Sequence, residues 1–306
     1  MEDFKKLWED VLVTVVLPNG YLDSRLETMD DQYLISKAFQ YCIIMRTKDG
    51  LEEYLNYHGN QSDFFIRKIT ELLNLQNVPE DMRERIIRNY LKNNIIDNGF
   101  ICHTTNNVSA QSIMTNGFTT SETNSNTQDI ITELREIFPE GFFKTDLNYI
   151  DGQKERTGWF YDRSPYHYKR YSNGPEWFKR LVSSSNFIKR DYEGAKRFIM
   201  QTMNMYNEPS SKKQEALRFL DKYWNIFAKT TPHMLLISTK NNDLRNPKEV
   251  DIVDTFSIHD QIRYYIELYF KGTDQNTNQE VLPSNIIDID MKEMEKRMYS
   301  GFGYTV

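Results

Sequence analysis

Three stretches of this chain bring together residue types that can do chemistry. Gly158 to Tyr171 reads GWFYDRSPYHYKRY, a glycine followed by three aromatics, a charged turn and a second aromatic cluster that closes on Tyr171. Gly99 to Phe118 reads GFICHTTNNVSAQSIMTNGF, in which an apolar run ends in His103 and Thr104 and a short helical pattern closes on Gly117. Asn278 to Asp290 reads NQEVLPSNIIDID, where Glu280 starts an apolar run that contains Pro283. Aromatic faces attract flat cations, with a quadrupole term of about 0.5–2 kcal/mol beyond burial. A glutamate near its reference pKa of about 4.3 is ionised at neutral pH, so it can sit beside a developing cation or take a proton.

Each stretch alone also has a plain structural reading. Aromatic clusters belong to cores more often than to sites, a histidine after an apolar run usually ends a strand, and Glu280 alone is a loop-to-strand glutamate. Tyr161, Tyr166 and Tyr168 read as packing or rim residues. Arg163, Lys169 and Arg170 form either a solvated face or a basic cluster able to meet a phosphate. His58, His167, His233 and His259 show no metal-ligand spacing among themselves or with the two cysteines, so no metal is expected.

The elements that must position these residues follow from apolar spacing. Residues 1 to 98 read as a helical domain. Phe4, Leu7, Trp8, Val11 and Leu12 fall at helical spacing until Pro18-Asn19-Gly20 stops them, and Asp30 to Met45 shows Tyr33, Leu34, Ala38, Tyr41 and Ile44 on one face. A third helix is expected over Ser62–Leu75, and a fourth starts at Pro79 and ends at Asn98-Gly99. Beyond Gly99 the pattern changes to short apolar runs. Phe100 to Cys102 reads as a buried strand that delivers His103 at its end, Val108 to Asn116 as a short helix, and Trp159 to Tyr161 as a strand. Helices are expected over Ile130–Phe138, Glu176–Val182, Glu193–Met205 and Ser211–Phe227. His233 to Ser238 and Asp251 to Phe256 read as strands, Ile262 to Phe270 as either helix or strand, Lys271 to Asn278 as a polar loop, and Val281 to Ile289 as the last strand. The fold class expected is α+β: a helical N-terminal domain, then residues 99–306 as a mixed, mainly antiparallel β domain with inserted helices.

Composition narrows the function classes. The 306 residues are 39% hydrophobic, 27% charged and 13% aromatic, those of an ordinary globular chain, and the length suggests about two domains. A net charge of -6 supplies no global field for nucleic acid or anionic membrane, although a local basic groove stays compatible with it. Cys42 and Cys102 both lie in apolar surroundings, which fits a reducing compartment. With no signal pattern and no run of about 18 apolar residues, a cytoplasmic protein without membrane contact is expected.

Taken together, the three stretches resemble the diphtheria-toxin-like and poly(ADP-ribose)-polymerase-like branch of the ADP-ribosyltransferase superfamily, known by a dispersed His, Tyr, Glu triad. That family writes its first element as a strand ending in His-Gly-Ser/Thr, and here His103-Thr104-Thr105 stands. Its second is Gly-x-Tyr-Phe with a tyrosine thirteen positions after the glycine; here Gly158 is followed by Phe160, Tyr161 and, at that spacing, Tyr171. Its third is a glutamate opening a late strand, matched by Glu280. The resemblance covers residues 99 to 306 and implies an ADP-ribosyltransferase-like fold with NAD as substrate and no metal.

The resemblance implies roles residue by residue. His103 would hydrogen-bond the adenosine-side ribose, the Thr104 backbone would hold the nicotinamide carboxamide, and Thr105 would bond a ribose or that amide. Tyr171 would stack on one nicotinamide face, and Phe160 or Tyr161 on the other, with Gly158 opening the motif. Where the family often has a serine ten positions after that glycine, this chain has Tyr168. Glu280 would bond the nicotinamide-ribose hydroxyl, stabilise the oxocarbenium-like ribose and orient the acceptor. The partners implied are NAD, a macromolecular acceptor (protein or nucleic acid) and an antitoxin or regulatory protein, as for a toxin or phage-conflict effector. The polar loop before Glu280 suggests transfer of single ADP-ribose units. Alternatives are an RNA 2′-phosphotransferase, which shares a run like Ser112-Ile113 to Gly117, and a catalytically silent NAD or ADP-ribose-binding module. Tyr171→Ala is expected to weaken NAD binding by about 1–3 kcal/mol through lost stacking and burial. Calorimetry with the folded variant checks this, and unchanged affinity would remove Tyr171 from the nicotinamide site.

Overall fold

The computed structural model describes residues 1–19, 29–119, 130, 132–139, 141, 159–168, 176–241, 244, 253–270 and 274–302. The fold is α+β. Helices α1 (Glu2–Val11, continued by a wider turn over Leu12–Val16), α2 (Met29–Met45), α3 (Leu51–Leu55), α4 (Gln61–Leu72) and α5 (Glu80–Leu91) come first. Strand β1 (Phe100–Asn106), helix α6 (Asn107–Asn116) and strand β2 (Trp159–Asp162) follow. Next come helices α7 (Glu176–Val182), α8 (Ser184–Ile188), α9 (Tyr192–Met205) and α10 (Ser210–Phe227). The chain closes with β3 (Pro232–Ser238), α11 (Ile258–Glu267), β4 (Asp274–Thr277), β5 (Ile286–Asp290) and α12 (Met291–Gly301). The five strands form one sheet in the order β4-β2-β1-β3-β5, and every pairing is antiparallel.

Side-chain alternation divides the sheet into two faces, and each face has its own cover. Phe100 and Cys102 of β1, Met234 and Leu236 of β3, and Ile287 and Ile289 of β5 join a core with Phe4, Trp8, Phe39 and Cys42 of the N-terminal helices and Met291, Met294 and Met298 of α12. Ile101, Leu235, Ile237, Ile286, Trp159 and Tyr161 face the other way, against Ala110 of α6, Phe118 and Val281. β3 is covered on both faces, which is why Met234-Leu235-Leu236-Ile237 is an unbroken apolar run rather than an alternating one. A third core, with Phe178, Phe187, Ile199, Phe219 and Trp224 among its members, belongs to α7–α10 together with the helical stretch 132–137.

Several expectations are corrected. β1 does not stop before His103 but runs to Asn106, because its polar second half still pairs with β3 down to Pro232. Residues 253–256 form a turn rather than a strand: Ser257 caps α11 through the Asp260 amide, and the preceding backbone turns into that cap. The stretch from Ile262 is helical through Glu267. Asp274 to Thr277 is the edge strand β4, paired with β2, where a polar loop was expected. Val281 makes only an isolated bridge to Phe118, and after a tight turn over Pro283–Asn285 the last strand starts at Ile286. α2 is buried nearly all round from Ile35 to Met45, while Tyr33, placed on its apolar face by spacing, is 47% exposed.

Candidate functional site

β1 carries His103 on the same face as Ile101, beside α6. The transition from strand to helix is made by Asn106, whose side chain accepts from the Val108 and Ser109 amides, both at 3.0 Å. β1 and β2 share one register pair, Cys102 with Asp162. One residue further on, the His103 ring bridges the two strands by donating Nδ1–H to the Phe160 carbonyl. That bond fixes the tautomer, because a carbonyl only accepts, and it leaves Nε2 as an acceptor. Burial lowers the His103 pKa and the bond to Phe160 offsets this only in part, so the imidazole is neutral at pH 7. A neutral ring with a fixed acceptor nitrogen suits a hydroxyl donor such as a sugar.

His103 meets Phe118 edge-on at 4.9 Å and Trp159 at 6.1 Å, and the Phe118 and Trp159 rings stack at 4.2 Å with an interplanar angle of 24°. The segment with Glu280 is pinned to this stack at two points. Trp159 donates Nε1–H to the Gln279 carbonyl at 2.8 Å. Phe118 and Val281 exchange both backbone hydrogen bonds, at 2.9 and 3.1 Å. Gly117 makes the second pin possible: its φ is +77°, and a Cβ there would lie 2.2 Å from the Val281 carbonyl oxygen. Val281 is buried at 2% exposure, so its neighbours Glu280 and Leu282 face outward, with Leu282 at 68%. The structure thus brings His103, the Phe160 carbonyl and Glu280 around one aromatic stack, with the Glu280 side chain exposed.

The remaining candidates are placed as follows. Thr104 and Thr105 continue β1 and are half-exposed. Tyr161 is buried and donates its hydroxyl to the Leu244 carbonyl at 2.7 Å, so it packs; Phe160 is the more exposed of the two residues offered as a nicotinamide platform, but alternation along β2 puts its ring on the sheet face opposite His103, which corrects that expectation. Tyr168, where the family often has serine, is buried in the core shared with the N-terminal helices. Ser164 is fully buried with its hydroxyl 2.9 Å from that of Ser36 on α2. Gly158 and Tyr171 lie outside the described residues. Sequence reasoning passed over Trp159 and Phe118 as the pins of the Glu280 segment; the signal was there in a large aromatic directly after each motif glycine. Among the described residues there is no group of three or more side chains able to hold a metal, and no helix long and apolar enough to cross a membrane.

A second polar group on the same face also escaped sequence reasoning. His233 of β3 has Nδ1 2.7 Å from Asp288 Oδ1 on β5 and Nε2 3.8 Å from Asp290 Oδ2. Asp290 in turn caps α12 through the Lys292 and Glu293 amides. Burial pulls the His233 pKa down, but the hydrogen bond to Asp288 and the charges of Asp288 and Asp290 outweigh it, and the net shift is upward from the ordinary 6.5. A folded-state pKa above the unfolded one stabilises the fold fully below the unfolded value and loses that contribution as pH rises through the folded value. Denaturant melts at about pH 6 and about pH 8.5 should therefore show a falling contribution that His233→Asn abolishes. Equal pH dependence in both proteins would contradict this account of the β3–β5 seam.

No family model, curated protein or solved structure compared with this chain matches it.

Proposed function

We propose that this chain is an NAD-dependent mono-ADP-ribosyltransferase of the His, Tyr, Glu type that modifies a macromolecular acceptor. The observation that carries the reading is the convergence of motifs far apart in sequence. His103, the Phe160 carbonyl and Glu280 surround the Phe118–Trp159 stack, and each is held there by a specific backbone bond or pairing. In this reading the acceptor nitrogen of His103 takes a ribose hydroxyl, and Tyr171 stacks on the nicotinamide. The outward carboxylate of Glu280 lies beside the ribose carbon as the glycosidic bond stretches. The C–N bond breaks with its electron pair leaving on neutral nicotinamide. An acceptor nucleophile then bonds to that carbon and gives up its proton, with Glu280 as the base.

Glu280 also favours transfer over silent binding, since a binder has no need of a carboxylate at the reacting ribose. Incubation with NAD labelled in the adenylate phosphate separates the readings. Label on a macromolecule, one discrete shift per acceptor site, supports single-unit transfer, and a ladder of products refutes it. Protection from heat by NAD without turnover means a binding module, and neither effect removes NAD from the account.

A further inference from the structure

Charge is segregated along this chain. The sequence from Glu176 to Thr230 holds eleven Lys and Arg against six Asp and Glu, whereas the rest of the chain holds 27 against 38. The basic stretch coincides with α7–α10, whose apolar side chains, with those of the helical stretch 132–137, form a core distinct from both faces of the sheet. A net-positive body thus stands on a net-negative protein. Self-repulsion of that kind weakens the isolated body and is offset when an anion covers it.

Some of these cations are already neutralised. Lys222 pairs with Glu133 at 2.7 Å, Lys212 with Glu215 at 3.3 Å and Arg197 with Asp191 at 3.7 Å. Lys189, Lys196, Lys213, Arg218 and Lys229 have no carboxylate partner among the described residues, and all are exposed or half-exposed. Helix packing draws several of these together. Tyr192 at the start of α9 hydrogen-bonds Asp221 in the middle of α10, and Trp224 of α10 packs against the Tyr192 ring at 5.7 Å and Phe187 of α8 at 6.4 Å. The end of α8 and the first turns of α9 therefore run beside α10, so Lys189 and Lys196 join the helix that carries Lys213 and Arg218. On α10, Arg218, Lys222 and Asn225 recur at four and three residues, one face of the helix, and Lys229 follows two residues past its end.

We propose that the α8–α10 surface binds the phosphodiester backbone of a nucleic acid. The unpaired cations are not gathered at one point: Lys213 and Arg218 lie along a helix of 18 residues, about 27 Å long, Lys229 follows just past its end, and Lys189 and Lys196 lie on the segments packed beside it. A linear polyanion with regularly spaced charges suits that row better than a compact acidic patch does. The surface stands on charge and packing alone and does not depend on the NAD reading.

The test is fluorescence anisotropy of the full chain with labelled single-stranded RNA of about 20 nucleotides and mixed sequence, across a salt series. Binding that weakens steeply with salt is expected. The triple variant K196E/R218E/K229E should bind at least about tenfold more weakly with unchanged melting, because each site is at the surface. The pair K292E/K296E on α12, outside the basic body, should bind as the parent does. No binding at low salt, or equal binding by the triple variant, overturns the proposal. So does displacement of the RNA by polyglutamate at equal charge, which would identify an acidic protein as the fitting partner. Should the triple variant fail to fold, the single variant R218E, expected to lower the salt slope by about one, decides the matter in the same assay.

Discussion

Glu280→Gln is expected to bind NAD as the parent does and to lose transfer by about 100- to 1000-fold, the scale on which removing one preorganised electrostatic partner of a transition state is felt. The amide keeps the shape of the side chain and one acceptor oxygen but not the charge beside the oxocarbenium. The position favours a clean experiment: Glu280 is exposed, and the segment that holds it is fixed by the Gln279 carbonyl and the Val281 backbone rather than by its own side chain. Melting should therefore be unchanged. Calorimetry for binding and label transfer for turnover check the two halves separately, and equal turnover in both proteins would remove Glu280 from the mechanism.

Gly117→Ala should have the largest effect on the fold around the site. Alanine is strained at φ +77°, and its Cβ would meet the Val281 carbonyl oxygen at 2.2 Å, so either the helix end or the Val281 segment must move. Backbone strain plus loss of the two Phe118–Val281 hydrogen bonds amounts to about 2–4 kcal/mol. Because Glu280 adjoins Val281, NAD turnover should fall even at temperatures where the variant is folded. Gly301→Ala provides the control, since nothing lies within 4 Å of a Cβ there. Denaturant melts and turnover of both variants test this, and a Gly117→Ala protein with parental stability would show that the Phe118–Val281 pairing is not fixed.

Local signals made much of the fold legible. Glu176–Val182 was readable to the residue, and α5 with its wider-turn continuation over Lys92–Asp97, α6 and α10 to within one or two, because amphipathic spacing and helix-stopping residues act within the segment itself. The apolar run from His233 to Ser238 announced β3 because that strand is covered on both faces. β4 could not be read: Asp-Gln-Asn-Thr shows no apolar alternation, and its strand character comes from pairing with Trp159–Asp162 at the sheet edge. The His233–Asp288 contact joins residues 55 positions apart on neighbouring strands, a distance over which spacing carries no information. The turn before α11 did leave a cue, Ser257 with Asp260 three positions on, a cap pattern that outweighed the β-prone residues before it.

Release of nicotinamide from NAD by the purified chain, followed by chromatography beside the Glu280→Gln protein, tests the central claim most directly. The account predicts release by the parent and about 100-fold less by the variant at the same NAD occupancy. No release by the parent at saturating NAD, with or without a cell extract as acceptor, would contradict it.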